Sequence, residues 1–185
     1  MHSKRYARPR RASAFFAMMG GGILLLGILF LSTWSPGAAY AEGAATATNL
    51  HTFIIPVAAD TEVNTHDVDK IYNDVGEVKV LADSGEPHIH RPLFQYDLSS
   101  ILPGSTILTA TVHFFVTDNT DNSPVNIHRV TVPWDEKTVT YNSFNEGYFA
   151  TVEGSFVPSQ KNQFVSANIT ALVQQWVSGV RHNRG

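Results

Sequence analysis

The chain has 185 residues, 13 Lys+Arg against 16 Asp+Glu, no cysteine and a formal charge of −3. Without disulfides a domain is held by packing, with a metal ion as a further aid. Lys4, Arg5, Arg8, Arg10 and Arg11 take five of the 13 basic residues and no acid precedes Glu42, so residues 42–185 hold 8 basic against 16 acidic side chains, a formal charge of −8. That balance disfavours nucleic acid or an anionic membrane surface as a partner.

The basic leader is followed by a nearly continuous apolar run, Phe15 to Trp34, and by Ala39-Tyr40-Ala41, a small-residue cleavage site. This three-part pattern is that of a secretory signal over residues 1–41. An uncleaved anchor is the alternative, because the run approaches the length that spans a bilayer. Gly20-Gly21-Gly22, Pro36 and the Ala-Tyr-Ala site favour cleavage, after which no membrane partner is expected. Residues 42–50 read as a linker, and residues 51–185, with the linker, suit one domain.

Along that domain the elements are short. His51 to Val57 carries a strand that Pro56 ends, and Thr65 to Gly76 is a loop rich in Asp and Asn. Glu77 to Leu81 is a strand with Val78 and Val80 on one face, and Arg91 to Leu98 another, with Phe94, Tyr96 and Leu98 on one side. Pro103-Gly104 marks a turn. Ala110, Val112, Phe114 and Val116 then alternate with Thr111, His113 and Phe115, the period of a strand with one face toward a core. A polar stretch to Pro124 ends it. In the next apolar run Val125 and Ile127 differ in parity from Val130 and Val132, so a bulge lies near His128 or both faces are covered. Pro133 closes this run, and Thr138 to Tyr141 reads as a further strand. After an irregular segment and an edge strand near Ser155 to Ser159, Gln163 to Ala167 is a strand. Ile169, Leu172, Val173, Trp176 and Val177 then recur on one helical face, with Asn168 as N-cap and Gly179 as C′ residue. Six or seven short strands and one late helix favour an all-β domain, an antiparallel β-sandwich of jelly-roll type with a short C-terminal helix.

Arg91-Pro-Leu-Phe-Gln-Tyr-Asp-Leu-Ser-Ser, followed by Ile101-Leu-Pro-Gly-Ser-Thr-Ile-Leu-Thr-Ala-Thr-Val, resembles the hallmark of DNRLRE-domain proteins, also grouped as carbohydrate-binding module family 96. Val125-Asn-Ile-His-Arg-Val, Trp134-Asp-Glu-Lys-Thr-Val-Thr-Tyr and Asn168-Ile-Thr-Ala-Leu-Val-Gln-Gln-Trp-Val-Ser-Gly carry the same likeness, as do Asp60 to Asn64 and Asn73 to Gly76. The likeness covers residues 51 to 183. It implies an extracellular jelly-roll sandwich that binds acidic or neutral polysaccharides. The chain departs from the pattern at Asn168, where the family usually has Asp, and at Asn183-Arg184-Gly185, where the family's final strand would begin. A domain lacking its last strand is therefore expected, with a sheet edge left open.

Three kinds of chemistry have candidate residues in this chain. Asp60, Asn64, Asp67, Asp69 and Asp74, with Asn73, place hard oxygen donors within fifteen residues. Calcium takes about six to eight such oxygens and is the cofactor that the set would suit. The spacing is not that of an EF-hand, and a solvated loop of Asx turns is the alternative. His88 and His90 could share a strand face as a metal pair, with His66, His113 or His128 as a third ligand, although scattered surface histidines explain them more simply. Asp135 and Glu136 are adjacent and cannot by themselves flank a glycosidic bond. They are expected to bond backbone amides, with Arg129 paired to one of them and Trp134 packed inside. No nucleophile motif or phosphate loop occurs, so the residues point away from an enzyme.

Sugar binding needs aromatic faces, and Tyr72, Phe115, Tyr141, Phe144, Tyr148 and Phe149 are the available rings. Phe115 should face away from the core, and Tyr148 and Phe149 follow Gly147 in a loop, so Phe115, Tyr148 and Phe149 are the candidate carbohydrate-binding residues. The resulting expectation is a secreted, non-catalytic carbohydrate-binding or cell-surface module whose partner is a polysaccharide or cell-surface glycan. A structural spacer or adhesive domain is the alternative, and a polysaccharide-degrading enzyme a weaker one.

Overall fold

The structure, a computed structural model, describes residues 16–30, 49–73, 76–82, 88–119 and 122–185. It is an all-β domain built of antiparallel sheets with a short C-terminal helix. The strands are β1 (Phe16–Phe30), β2 (Asn49–Asn64), β3 (Glu77–Ala82), β4 (Ile89–Tyr96), β5 (Thr106–Asn119), β6 (Val125–Ile127), β7 (Gly154–Phe156) and β8 (Gln163–Asn168). The helices are α1 (Tyr141–Phe144) and α2 (Thr170–Val177). Six strands run in the order β2-β4-β3-β1-β5-β8, with β1 also paired to β2, and β6 and β7 form a separate hairpin-like pair. Among the described residues no helix is long and apolar enough to cross a membrane.

The strand expected to end at Pro56 instead continues to Asn64. A proline has no N–H to donate, and the ladder changes partner at this residue. Residues up to Pro56 pair with β1, whereas Val57 to Asn64 pair with β4. Residues 61–64 of β2 are buried in succession because both faces of this half are covered. Glu62 lies among them, and its carboxylate accepts from the Lys79 backbone N–H at 2.7 Å and sits 3.0 Å from His90 Nδ1, so one acid ties β2 to β3 and β4.

Two cores result. Phe94 and Tyr96 of β4 face the larger one with Val112, Phe114 and α2, as their parity predicts. Leu93, of opposite parity, enters a second cluster with Val63, Val130, Val139 and Phe144. The Thr138–Tyr141 segment is not a strand. Thr140 caps α1 in a capping box, with Ser143 N–H donating to its Oγ1 at 3.1 Å and its own N–H donating to Ser143 Oγ at 2.9 Å. Local side-chain bonds of this kind compete with a ladder and win where no neighbouring strand is in reach. The apolar run before it breaks at His128 and Arg129, between the β6–β7 ladder and an isolated Val130–Tyr148 bridge. Asp135 accepts a backbone N–H of its own loop as expected, from Lys137 at 2.8 Å, whereas Glu136 reaches β2 instead and accepts from Asp60 N–H at 3.4 Å.

Helix α2 does more than cover β5. β8 pairs only with Thr111 to Val116 of that strand. Below that stretch the helix supplies the missing bonds: Thr170 Oγ1 accepts from Ala110 N–H at 2.9 Å, Gln174 Oε1 from Ile107 N–H at 2.8 Å, and Gln174 Nε2 donates to Ser105 O at 3.1 Å. The N-cap is Ile169, one residue later than expected, while the Asn168 carboxamide accepts from Thr170 N–H. Gly179 takes φ +73, which a C′ glycine adopts without strain. Replacing Gln174 with leucine keeps the shape but orphans Ile107 N–H of β5 and the Ser105 carbonyl just before that strand, so the Gln174→Leu chain is expected to lose about 1–3 kcal/mol in urea unfolding. A midpoint equal to the parent's would show that water replaces the helix as the partner of β5.

Candidate glycan-contact site

The site grows from the end of α1. After Phe144 the chain passes through two successive left-handed residues, Asn145 (φ 47) and Glu146 (φ 57), a conformation uncommon for non-glycine residues. Gly147 follows, where a Cβ would come 2.2 Å from Val132 Cγ2 and 2.7 Å from the Phe144 carbonyl, so only glycine lets the turn lie this close. The segment is then stitched to its neighbour, with Thr131 N–H donating to Gly147 O at 2.7 Å and Phe149 N–H to Arg129 O at 2.8 Å.

These bonds bring alternating rings and cations together. The Arg91 guanidinium, from β4, lies 5.3 Å from the Tyr148 ring centroid and 5.8 Å from that of Tyr141. It donates to Glu146 Oε1 at 2.8 Å, and the Tyr141 hydroxyl donates to the same oxygen at 2.5 Å. The Arg129 guanidinium lies 5.0 Å from the Phe149 ring. The His128 ring is 5.3 Å from Tyr148. Its Nδ1 is 3.1 Å from both the Phe149 and Thr151 carbonyls, so Nδ1 carries the proton. Arg129 is only 9% exposed; its Nε is 3.9 Å from Glu153 Oε1 and makes no hydrogen bond. The expected pairing of Arg129 with Asp135 or Glu136 is therefore replaced by Glu153, across the break in the β6 run. Behind the cluster is a cavity of about 420 Å³, apolar at its floor where Phe114, Leu172 and Trp176 line it, and polar where Arg91, Asn126, His128 and Tyr148 do.

Of the expected carbohydrate contacts, Tyr148 and Phe149 are in this cluster, and Phe149 is 47% exposed. Phe115 is elsewhere. Its parity on β5 is opposite to that of the cavity-lining Phe114, and its ring meets Phe164 of β8 edge-on at 5.1 Å, with Phe164 59% exposed. Phe144 is 2% exposed and is a core residue, because it is the inward position of α1. Trp134 packs against the second cluster and donates its Nε1–H to Arg184 O at 2.6 Å. Sequence reasoning missed Arg91 and Glu146. The signal for Glu146 was Asn145-Glu146-Gly147, a run suited to left-handed backbone; Arg91 carried none, since its partners come from a loop 55 residues away.

The proposed metal donors are dispersed over different bonds. Asn64 Oδ1 accepts from the His66 and Asp67 backbone N–H groups, and its amide donates to the Tyr72 hydroxyl at 2.7 Å, which in turn donates to Asp67 at 2.8 Å. Asp69 accepts from Asn142 at 2.8 Å. Asp60 lies beside Glu136, and burial followed by that like charge raises its carboxyl above the ordinary value. Asp74 lies outside the described residues. The His88 ring lies tilted against that of His66 with centroids 4.6 Å apart, while His90 meets Glu62. Among the described residues no group of three His, Cys, Asp or Glu side chains could hold a metal ion.

Burial alone would raise the Glu146 carboxyl, but the Tyr141 hydroxyl and Arg91 outweigh it and hold it below its ordinary value. For Arg91, burial likewise works against the charge, and the Tyr141 hydroxyl and Glu146 outweigh it. A carboxyl lowered by folding stabilises the chain fully above its unfolded value, and that contribution is lost as pH falls through the folded value. The urea midpoint of the parent should exceed that of Glu146→Gln at neutral pH, with the gap closing below about pH 5. A gap unchanged between pH 7 and 3 would show that the charge on Glu146 does not support the fold.

The arrangement offers planar donors, acceptors and ring faces, and both of its carboxylates are in ion pairs. Among curated proteins and among solved structures nothing matches the chain. One family model does: the description is carbohydrate-binding module family 96, and it matches residues 51–183. Modules of this class are non-catalytic by definition, and with nearly the whole domain matched, this chain belongs to carbohydrate-binding module family 96.

Proposed function

We propose that this chain is a secreted, non-catalytic module, a jelly-roll sandwich in its finer architecture, that holds a polysaccharide or cell-surface glycan across Tyr148 and Phe149. The observation that carries this reading is the placement of two rings, each with a guanidinium on one side, on a segment fixed by backbone bonds, with the first of them, Tyr148, lining a cavity together with its guanidinium. A pyranose face would stack on the exposed side of Phe149, its C–H groups against the electron-rich face of the ring. Its hydroxyls would meet Arg91, Asn126 and His128, whose fixed Nδ1 proton turns the other ring nitrogen into an acceptor when the imidazole is neutral. Holding these groups in place before the ligand arrives lowers the ordering cost of binding.

The Phe115–Phe164 pair on the outer face of β5 and β8 supports a second contact surface, which a spacer or adhesive domain could use without the first. Affinity electrophoresis against plant, algal and bacterial polysaccharides, with calcium and with chelator, separates these readings. Retardation by a polysaccharide should fall at least about 10-fold in apparent affinity for Tyr148→Ala and Phe149→Ala together, since stacked rings at a binding centre cost about 2 kcal/mol or more when truncated. Loss confined to Phe115→Ala would move the glycan to the outer face. A cooperatively melting chain retarded by none of the panel would favour the spacer, and loss of retardation in chelator would show that binding needs a divalent cation.

A further inference from the structure

Strand β1 lies inside the six-stranded sheet, paired along both of its edges. Along one edge it pairs antiparallel with β5 from Thr106 to Asn119. Along the other it pairs antiparallel with β3 in its first half and with β2 in its second. Among the described residues it alone joins the β5–β8 pair to the rest of the six-stranded sheet. Without it, β5 and the β2–β3 edge would present facing rows of unmet N–H and C=O groups, the condition under which a sheet recruits a strand.

The segment that fills this position fits it imperfectly. Its sequence, Phe-Ala-Met-Met-Gly-Gly-Gly-Ile-Leu-Leu-Leu-Gly-Ile-Leu-Phe, has no charge, but the ladder to β5 shifts register three times. Gly20, Gly21 and Gly22 have no partner in any of the three ladders, and they fall at the level of Phe114, which has no partner on β1. Three residues without side chains thus pass the sheet where Phe114 lines the 420 Å³ cavity. The link to β2 is also unusual. Phe30 and Asn49 are direct partners, yet residues 31–48 separate them, where about two residues would close a hairpin. That connection contains Ala39-Tyr40-Ala41, the expected cleavage site of the leader.

We propose that the path between β5 and the β2–β3 edge is a strand-acceptor slot. Phe16–Phe30 occupies it in cis, and a cut in residues 31–48 turns the domain into a receptor for an extended, uncharged apolar strand supplied from outside it. Backbone pairing to both edges gives the affinity, and the absence of charge over the whole length selects the strand. The slot is independent of the glycan surface, so either can fail without the other.

The absence of cysteine makes the test clean. Leu25 and Thr111 are direct Cα partners, whereas Thr109 faces Gly27. In the full chain, Leu25→Cys with Thr111→Cys should form an intrachain disulfide under air, and its failure to form, or a disulfide between chains, overturns the placement. A second full chain carries Thr111→Cys and a protease site inserted after Ala41, and is cut after purification. A labelled peptide of residues 16–30 with Leu25→Cys and a lysine tail for solubility is then added. The cut chain should take up one peptide and crosslink to it at least about 10-fold faster than the uncut chain or a cut chain with Thr109→Cys. Equal uptake by cut and uncut chains, or none by the cut chain, overturns the proposal. If cutting precipitates the domain, rescue by the peptide supports the slot and failure of rescue overturns it.

Discussion

The backbone of β5 is the constraint to which the remaining elements answer. Both of its edges must be met over fourteen residues, and no single neighbour does so. β1 covers one edge in a ladder that shifts register three times, and the other edge is divided between β8 and the side chains of α2. Gln174 and Thr170 act there as a surrogate strand, offering a carboxamide and a hydroxyl where a ladder would offer peptide groups. Buried backbone groups without partners cost about as much as whole side-chain contacts, so this substitution is a condition of the fold and fixes where the helix can lie.

From that arrangement the site follows by way of the second core. Because β4 is covered on both faces, Phe94 and Tyr96 can serve the larger core while Leu93 anchors α1 and its flanking loops from the other side. Arg91, one alternation before Leu93, then emerges beside the α1 turn, within reach of Glu146, Tyr141 and Tyr148. The cluster thus combines one regular strand, which sets the position of a cation, with an irregular segment whose shape comes from Gly147 and from bonds to residues 129–131. A contact surface of this type asks for rigid presentation and no reacting group, in keeping with a carbohydrate-binding module.

What could be read from the sequence was local. The alternation of Ala110, Val112, Phe114 and Val116, the helical face of Leu172, Val173 and Trp176, and the left-handed Gly179 depend on neighbours a few residues away, and each is as the pattern requires. Strand Thr138–Tyr141 was misread because β-branched and aromatic residues also suit a capped turn when Thr140 and Ser143 stand three apart. Pro56 was misread as a stop, although a proline can also mark the point where one strand changes its pairing partner. The candidate site was half legible: Tyr148 and Phe149 follow from a glycine in a loop, but Arg91, Glu146 and the true partner of Arg129 meet only through long-range contacts, to which periodicity is blind. Phe115 was correctly turned from the core, yet parity gives a face and not a neighbour, and the neighbour is Phe164.

The left-handed pair at Asn145 and Glu146 also bears on how the domain could be altered. Asparagine tolerates this backbone, whereas glutamate stays there at a cost of roughly 1 kcal/mol that glycine would not incur. Heat resistance taken as the sole criterion in a screen would therefore drift toward glycine at position 146, easing the turn while deleting the carboxylate that orients Arg91. Fold and recognition pull in opposite directions at this residue, so a more durable form of the domain that still recognises its ligand would have to be sought by scoring both properties at once.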